Sequence, residues 1–235
     1  MTIWHALFSA PALTAAGGSL GALVRSAIGR LRVPERKGRG RQVAFTIAAI
    51  ALAAKMARAD GYASDGEFQT FQRLFQVSEN ERPNAERFYR LAQSSTSGFE
   101  AYARQAAAML GPGSPLLEDL LEALMLIAVT DGLHPEEVVY LDSVANYFGF
   151  SGADYERIKA RHIAPTGDNP YVVLGVAPGA AIEAVRDAYR KLVKTHHPDR
   201  HIADGTPPEF IRVAGDRMAA INAAYAALAR RTLSE

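Results

Sequence analysis

The sequence predicts an all-α protein with two folded units, and three observations predict it. Ala-rich runs with Leu, Arg and Glu dominate, while long alternating β-branched stretches are absent. Apolar residues recur at helical spacing, as in Leu116, Leu117, Leu120, Leu121, Leu124 and Ile127, and in Phe68, Phe71, Leu74 and Phe75; these are assigned to core. Pro165, Gly167 and Asp168 interrupt the helical pattern and divide the folded part. A chain of 235 residues with 49% apolar side chains can build real cores, so wholesale disorder is excluded. The net charge of +1 argues against a protein built to neutralise nucleic-acid phosphates. With no cysteine, a disulfide scaffold, thiol catalysis and Cys-based zinc sites are ruled out.

Charge is unevenly distributed: residues 1–41 carry +6, 42–160 carry −7 and 161–235 carry +2. Residues 1–24 hold no charged side chain and precede the basic run Arg25, Arg30, Arg32, Arg36, Lys37, Arg39 and Arg41. That order is the one expected of an anchor with a basic cytoplasmic flank, and the reverse of a secretory signal. Pro11, Gly17, Gly18 and Gly21 make the apolar segment weak, so a soluble or interfacial helix competes with a membrane span. The basic stretch, with Pro34, Gly38 and Gly40, reads as a solvated linker that could sit near anionic lipid. We therefore take residues 1–42 as an N-terminal segment and linker. Val43 to Ala54 is apolar almost throughout, but a dozen residues is too short to cross a bilayer, and it is expected to be a buried helix.

Residues 43–163 form the first folded unit and contain an internal repeat. Ala57-Arg58-Ala59-Asp60-Gly61 and Ala128-Val129-Thr130-Asp131-Gly132 each follow an apolar helical run and precede an acidic helix start. Gly61 and Gly132 supply the positive φ of a sharp stop. In the first copy Ser64 and Glu67 make a capping-box pattern; in the second Pro135 suits the first helical turn, and Glu136 and Glu137 complement the positive end of the helix dipole. If the copies pack as a pseudo-symmetric pair, Asp60, Asp65, Glu67, Asp131, Glu136 and Glu137 gather, and their oxygens suit a hard divalent cation. Capping alone accounts for the same residues. The EF-hand pattern is excluded, because Tyr62 takes loop position 3 and glycine falls at position 7 as Gly66.

This segment resembles the TerB family, the tellurite-resistance-associated helical domain, through Ala59-Asp60-Gly61 with Glu67 and Thr130-Asp131-Gly132 with Glu137. The resemblance implies a helical bundle that senses or binds something. Thr130 in place of alanine departs from the family pattern.

Residues 168–235 form the second unit. Asn169 is a good N-cap and Pro170 a good first residue for a short turn ending at Gly175. From Ile182 to His196, Val185, Tyr189, Leu192 and Val193 form an apolar stripe, with Arg186, Arg190, Lys191 and Lys194 largely opposite. The helix should end at His197-Pro198-Asp199, because proline disfavours helical geometry in the residue before it and cannot extend the hydrogen-bond ladder. In the last helix Ile211, Met218, Ile221, Tyr225 and Leu228 are spaced to pack back on that stripe. The expected product is an antiparallel helical hairpin with a His-Pro-Asp tip.

Asn169–Val176, Ala188–Asp199 and Ile221–Tyr225, in that order, closely resemble the J-domain of DnaJ-type co-chaperones. Position at the C-terminus after a TerB-like segment, with Pro207-Pro208-Glu209 in the loop, is similar to the DjlA-like subgroup. Ala181 departs from it, standing where the family usually has a Ser or Thr cap. The resemblance implies a cytoplasm-facing, inner-membrane-associated co-chaperone whose J-domain docks on a DnaK-type ATPase chaperone and speeds its ATP hydrolysis. It implies chaperone-binding roles for His197, Pro198, Asp199, Arg186, Arg190, Lys191 and Lys194. A basic strip steers encounter with an acidic partner face; Pro198 fixes the tip backbone, Asp199 suits a partner arginine, and His197 holds the geometry by a hydrogen bond.

The chain is not expected to be an enzyme. No Ser or Cys nucleophile stands in a recognisable setting near the histidines, and GxxxxGK[ST] occurs nowhere. No cofactor is required, apart from the divalent cation the acidic turns would accept. The competing readings are a divalent-metal or stress-ligand binding protein with the hairpin as a docking arm, and a membrane adaptor using residues 1–41.

Overall fold

In a computed structural model, residues 48–59, 65–93, 98–162, 170–197, 199 and 208–232 are described, and among them every regular element is an α-helix. In chain order these are α1 (48–56), α2 (Asp65–Leu74), α3 (Arg82–Gln93), α4 (Phe99–Leu110), α5 (Pro115–Ala128), α6 (Pro135–Phe148), α7 (Gly152–His162), α8 (Pro170–Leu174), α9 (Ile182–His196) and α10 (Pro208–Thr232). Gly61, Ser64, Asn169 and Pro198 lie outside the described residues, as does the whole of 1–47.

Helix α1 is buried on every side, with Ala49, Ala51, Leu52, Ala53 and Ala54 fully enclosed. This is the expected fate of a short helix that is apolar apart from Lys55, which is also buried. Helix α5 is the hub, packing against α2, α4, α6, α7 and α10. Its Leu117, Leu120, Leu121, Leu124 and Ile127 are wholly buried, each contributing about 1.5–3 kcal/mol by removal from water. Phe71, Phe75 and Tyr89 stack on one side of this core, and the Tyr140 hydroxyl ties α6 to α1 by donating to the Leu52 carbonyl at 2.9 Å. The second turn ends as predicted, with Gly132 at φ 106°.

The C-terminal unit is the expected antiparallel hairpin. Helices α9 and α10 pack along each other and α8 lies across α10. Leu174, Val185, Leu192, Ile221, Ala224 and Leu228 form its own small core, flanked by Met218. Tyr189 and Tyr225 stack at 4.2 Å, and the Tyr189 hydroxyl donates to Asn222 Oδ1 at 3.0 Å. Gly175 stops α8 at φ 69°. Ala181, at the start of α9, makes no side-chain capping bond, as its sequence implies.

The two units are less separate than the sequence division suggests. Helix α10 also packs on α5 and α2, and α8 packs on α7. Val213, near the start of α10, is fully buried and belongs to the bundle's core, whereas Ile221 and Leu228 further along belong to the hairpin's core. One helix therefore serves two cores.

Candidate functional site

The tip is built by the end of α9. His197 leaves the helix with φ −62° and ψ 132°, the extended geometry imposed on a residue that precedes proline. The Asp199 backbone N–H donates to His197 Nδ1 at 3.2 Å, and Asp199 Oδ2 lies 3.6 Å from the same nitrogen. The imidazole thus closes the turn on itself. The His197 and Asp199 side chains are 51% and 86% exposed, so the corner is open to a partner. Arg186, Arg190, Lys191 and Lys194 are all exposed along α9, forming the expected positive strip. Arg190 is 3.7 Å from Asp187, an exposed pair one helical turn apart that holds neither residue strongly.

His196, one residue before the tip, points the other way and is buried. It enters a charged cluster that spans both units and that the sequence reading did not identify. From α5 come Glu118, Asp119 and Glu122; from α7, Arg161 and His162; from α9, His196; and from α10, Arg217, which is fully buried. Arg217 donates through Nη2 to Asp119 Oδ1 at 2.5 Å and through Nε to Glu122 Oε2 at 3.0 Å. Its Nη1 is 3.0 Å from His196 Nδ1. Because a guanidinium only donates, that imidazole nitrogen is the acceptor, leaving the proton on Nε2, 3.9 Å from Glu118 Oε2. Arg161 donates through Nη1 to Glu118 Oε1 at 2.8 Å and also to Glu122 Oε1.

Glu118 and Glu122, four residues apart on one helix, would repel one another in isolation, and burial would neutralise them; the two guanidiniums reverse both tendencies. Burial pushes Glu122 upward, but Arg217, the nearby His162 and Arg161 together hold it well below the usual carboxylate range. Glu118 is lowered in the same way, burial being more than offset by Arg217 and Arg161. His196 is lowered to about 4, first by burial and then by the nearby guanidiniums, against the pull of Glu118.

These shifts all act in one direction on stability. His196 takes up a proton more readily unfolded than folded, so between pH 6.5 and about 4 acid favours unfolding; the carboxylates add their loss below the ordinary Glu value, as pH falls towards their depressed folded values. Urea titrations at pH 7.5 and 4.5 should therefore show a loss of about 2–3 kcal/mol attributable to His196. His196→Gln should remove that part of the pH dependence.

The acidic turns divide. Glu67 and Glu137 are buried, while Asp65, Asp131 and Glu136 are exposed and Asp60 lies outside the described residues. Glu137 caps its own helix, accepting the His134 N–H at 3.0 Å. The repeats do meet: Thr130 Oγ1 lies 3.0 Å from Thr70 Oγ1, and both Glu67 and Glu137 bear on Tyr89, whose hydroxyl burial and these carboxylates push upward. Among the described residues no three His, Asp or Glu side chains converge as a metal-binding group. Nor is any described helix long and apolar enough to cross a membrane; the basic linker and the apolar segment before it are not among them.

A helical bundle carrying an antiparallel hairpin whose corner at His197 and Asp199 is open defines a J-domain protein with an added helical module. Comparison with known families agrees: the model for tellurite resistance protein TerB matches residues 46–160, and the DnaJ domain model matches 169–233. The chain belongs to the DnaJ-type J-domain co-chaperones, with a TerB domain ahead of the J-domain, and is similar to relatives named co-chaperone protein DjlA. The relative from Aliivibrio fischeri is 27% identical over 219 residues, covering 79% of this chain and 77% of its own length. That from Vibrio cholerae is 28% identical over the same length and shares. The Escherichia coli K12 relative is 24% identical over 261 aligned positions, covering 96% of each chain. No solved structure matches the chain.

Proposed function

We propose that the protein docks on a DnaK-type chaperone through its J-domain and stimulates that partner's ATP hydrolysis, with the TerB bundle acting as the recognition or sensing module. The observation that carries this reading is the open tip, a His197–Asp199 turn closed by its own hydrogen bond at the end of an exposed basic helix face. In this reading Asp199 pairs with an arginine of the partner, His197 keeps the turn in shape, Pro198 stiffens it, and Arg186, Arg190, Lys191 and Lys194 steer the encounter. Acceleration requires that the J-domain bind the hydrolysis-ready state of the partner better than its resting state. Residues 1–41 would hold the protein at the cytoplasmic face of the inner membrane. The competing reading, a metal or stress-ligand protein with the hairpin as an arm, has weaker support, because the named relatives are co-chaperones.

The test is a single-turnover ATPase measurement on a DnaK-type chaperone with the full chain added. Stimulation should be strong at low salt and fall as ionic strength rises, since the strip is exposed and screened. Lys191→Ala with Lys194→Ala should weaken stimulation and flatten that salt dependence. A partner left at its basal rate at every salt concentration contradicts the proposal.

A further inference from the structure

The J-domain has a second charged face that the tip and the basic strip do not account for. It lies on the other flank of the tip, where the end of α9 and the first half of α10 carry His196, Val213, Ala214 and Arg217, all buried against the bundle. Arg217 is a cation set among the apolar residues of α10, and what covers it is the acidic side of α5, namely Glu118, Asp119 and Glu122. Both groups are drawn from water at a cost, and their mutual attraction roughly balances it, so an ionic interface fixes geometry without adding much net adhesion. Separation of the charged part is offset by solvation of each half once apart, while Val213 leaves the bundle's core at the same time. The latch and the tip are also adjacent in sequence: His196, held by Arg217, is bonded directly to His197.

We propose that this flank is a further docking surface for the acidic face of the ATPase partner, and that α5 occupies it as an internal stand-in for that face. With the latch closed the partner reaches only the tip and the α9 strip. When it opens, Arg217 becomes available and the contact extends round the tip, so the TerB bundle restrains the J-domain it carries. This rests on the proposed engagement of a DnaK-type chaperone, but the docking of the two units does not.

The absence of native cysteine makes the full chain a clean host for paired spin labels at Asn146→Cys on α6 and Glu183→Cys on α9, both exposed positions outside the interface. In this background the latch is opened by Asp119→Arg, which leaves every J-domain contact residue unchanged. The pair should give one narrow distance distribution in the parent chain and a broad one after Asp119→Arg. Stimulation of the partner ATPase should rise several-fold on opening, with helical content unchanged. Combining Asp119→Arg with Arg217→Glu, a charge swap, should restore the narrow distribution. If Asp119→Arg loses helical content, the isosteric Asp119→Asn serves instead and should show a smaller change of the same sign.

A broad distribution in the parent chain overturns the docking. Opening that leaves stimulation unchanged or lowers it, where the parent chain does stimulate, overturns the restraint alone. Opening as expected with no stimulation from either protein overturns the proposed chaperone function, and the restraint with it, while the docked interface stands.

Discussion

Replacing Asp199 with asparagine should reduce stimulation of a DnaK-type ATPase to the partner's basal rate without altering the circular dichroism of the chain. The side chain is 86% exposed, so its removal costs the fold little. Asparagine keeps the shape and forfeits the charge, and with it the charge-assisted pairing proposed with a partner arginine. His197→Gln should have the same functional outcome by a different route, because His197 Nδ1 accepts the Asp199 N–H and so shapes the turn. Undiminished single-turnover stimulation by either variant would remove the tip from the mechanism.

The largest effect on stability should come from Glu122→Ala. This carboxylate accepts from Arg161 and Arg217 and lies 3.5 Å from His162, with no exposure of its own. Its loss takes one carboxylate from each of two buried guanidiniums and leaves excess positive charge in the cluster, a change of the kind that costs about 3–5 kcal/mol when one partner of a buried pair is deleted. Equilibrium urea unfolding should register that loss, whereas Glu136→Ala, at an exposed position on α6, should stay within about 0.5 kcal/mol of the parent. If Glu122→Ala were equally mild, the cluster would not be holding α5, α7 and α10 together.

The helices and the tip were legible because their signals are local. Spacing of Leu117, Leu120, Leu121 and Leu124 assigns one face of α5 to core, and the structure buries all four. Pro198 after His197 predicts an extended residue at the end of α9, and the backbone there is extended. The capping part of the acidic-turn reading also has a local cause, seen in the bond between Glu137 and the His134 N–H. The gathering of the carboxylates is a long-range matter; among the described ones Glu67 and Glu137 are buried, while Asp65, Asp131 and Glu136 are exposed.

The charged cluster escaped notice for the same reason. Glu118, Asp119 and Glu122 stand on an otherwise apolar helix, and Glu118 and Glu122, four apart, are a repulsive pair that demands a cation from elsewhere. Arg217 is bracketed by Val213, Ala214, Met218 and Ile221, on the apolar side of α10. Each is a visible anomaly, yet nothing in the sequence says that one answers the other, since they are nearly a hundred residues apart.

The sequence by itself determined the helical class, the two units, the repeat of the Asp-Gly turn and the corner at His197 and Asp199, because periodicity, caps and proline act within a few residues of chain. Only the tertiary structure decided that α10 belongs to two cores, that His196 turns inward while His197 turns outward, and that the acidic side of α5 is buried. Those outcomes depend on which distant charge arrives to offset desolvation, and only the packing of one helix against another supplies it.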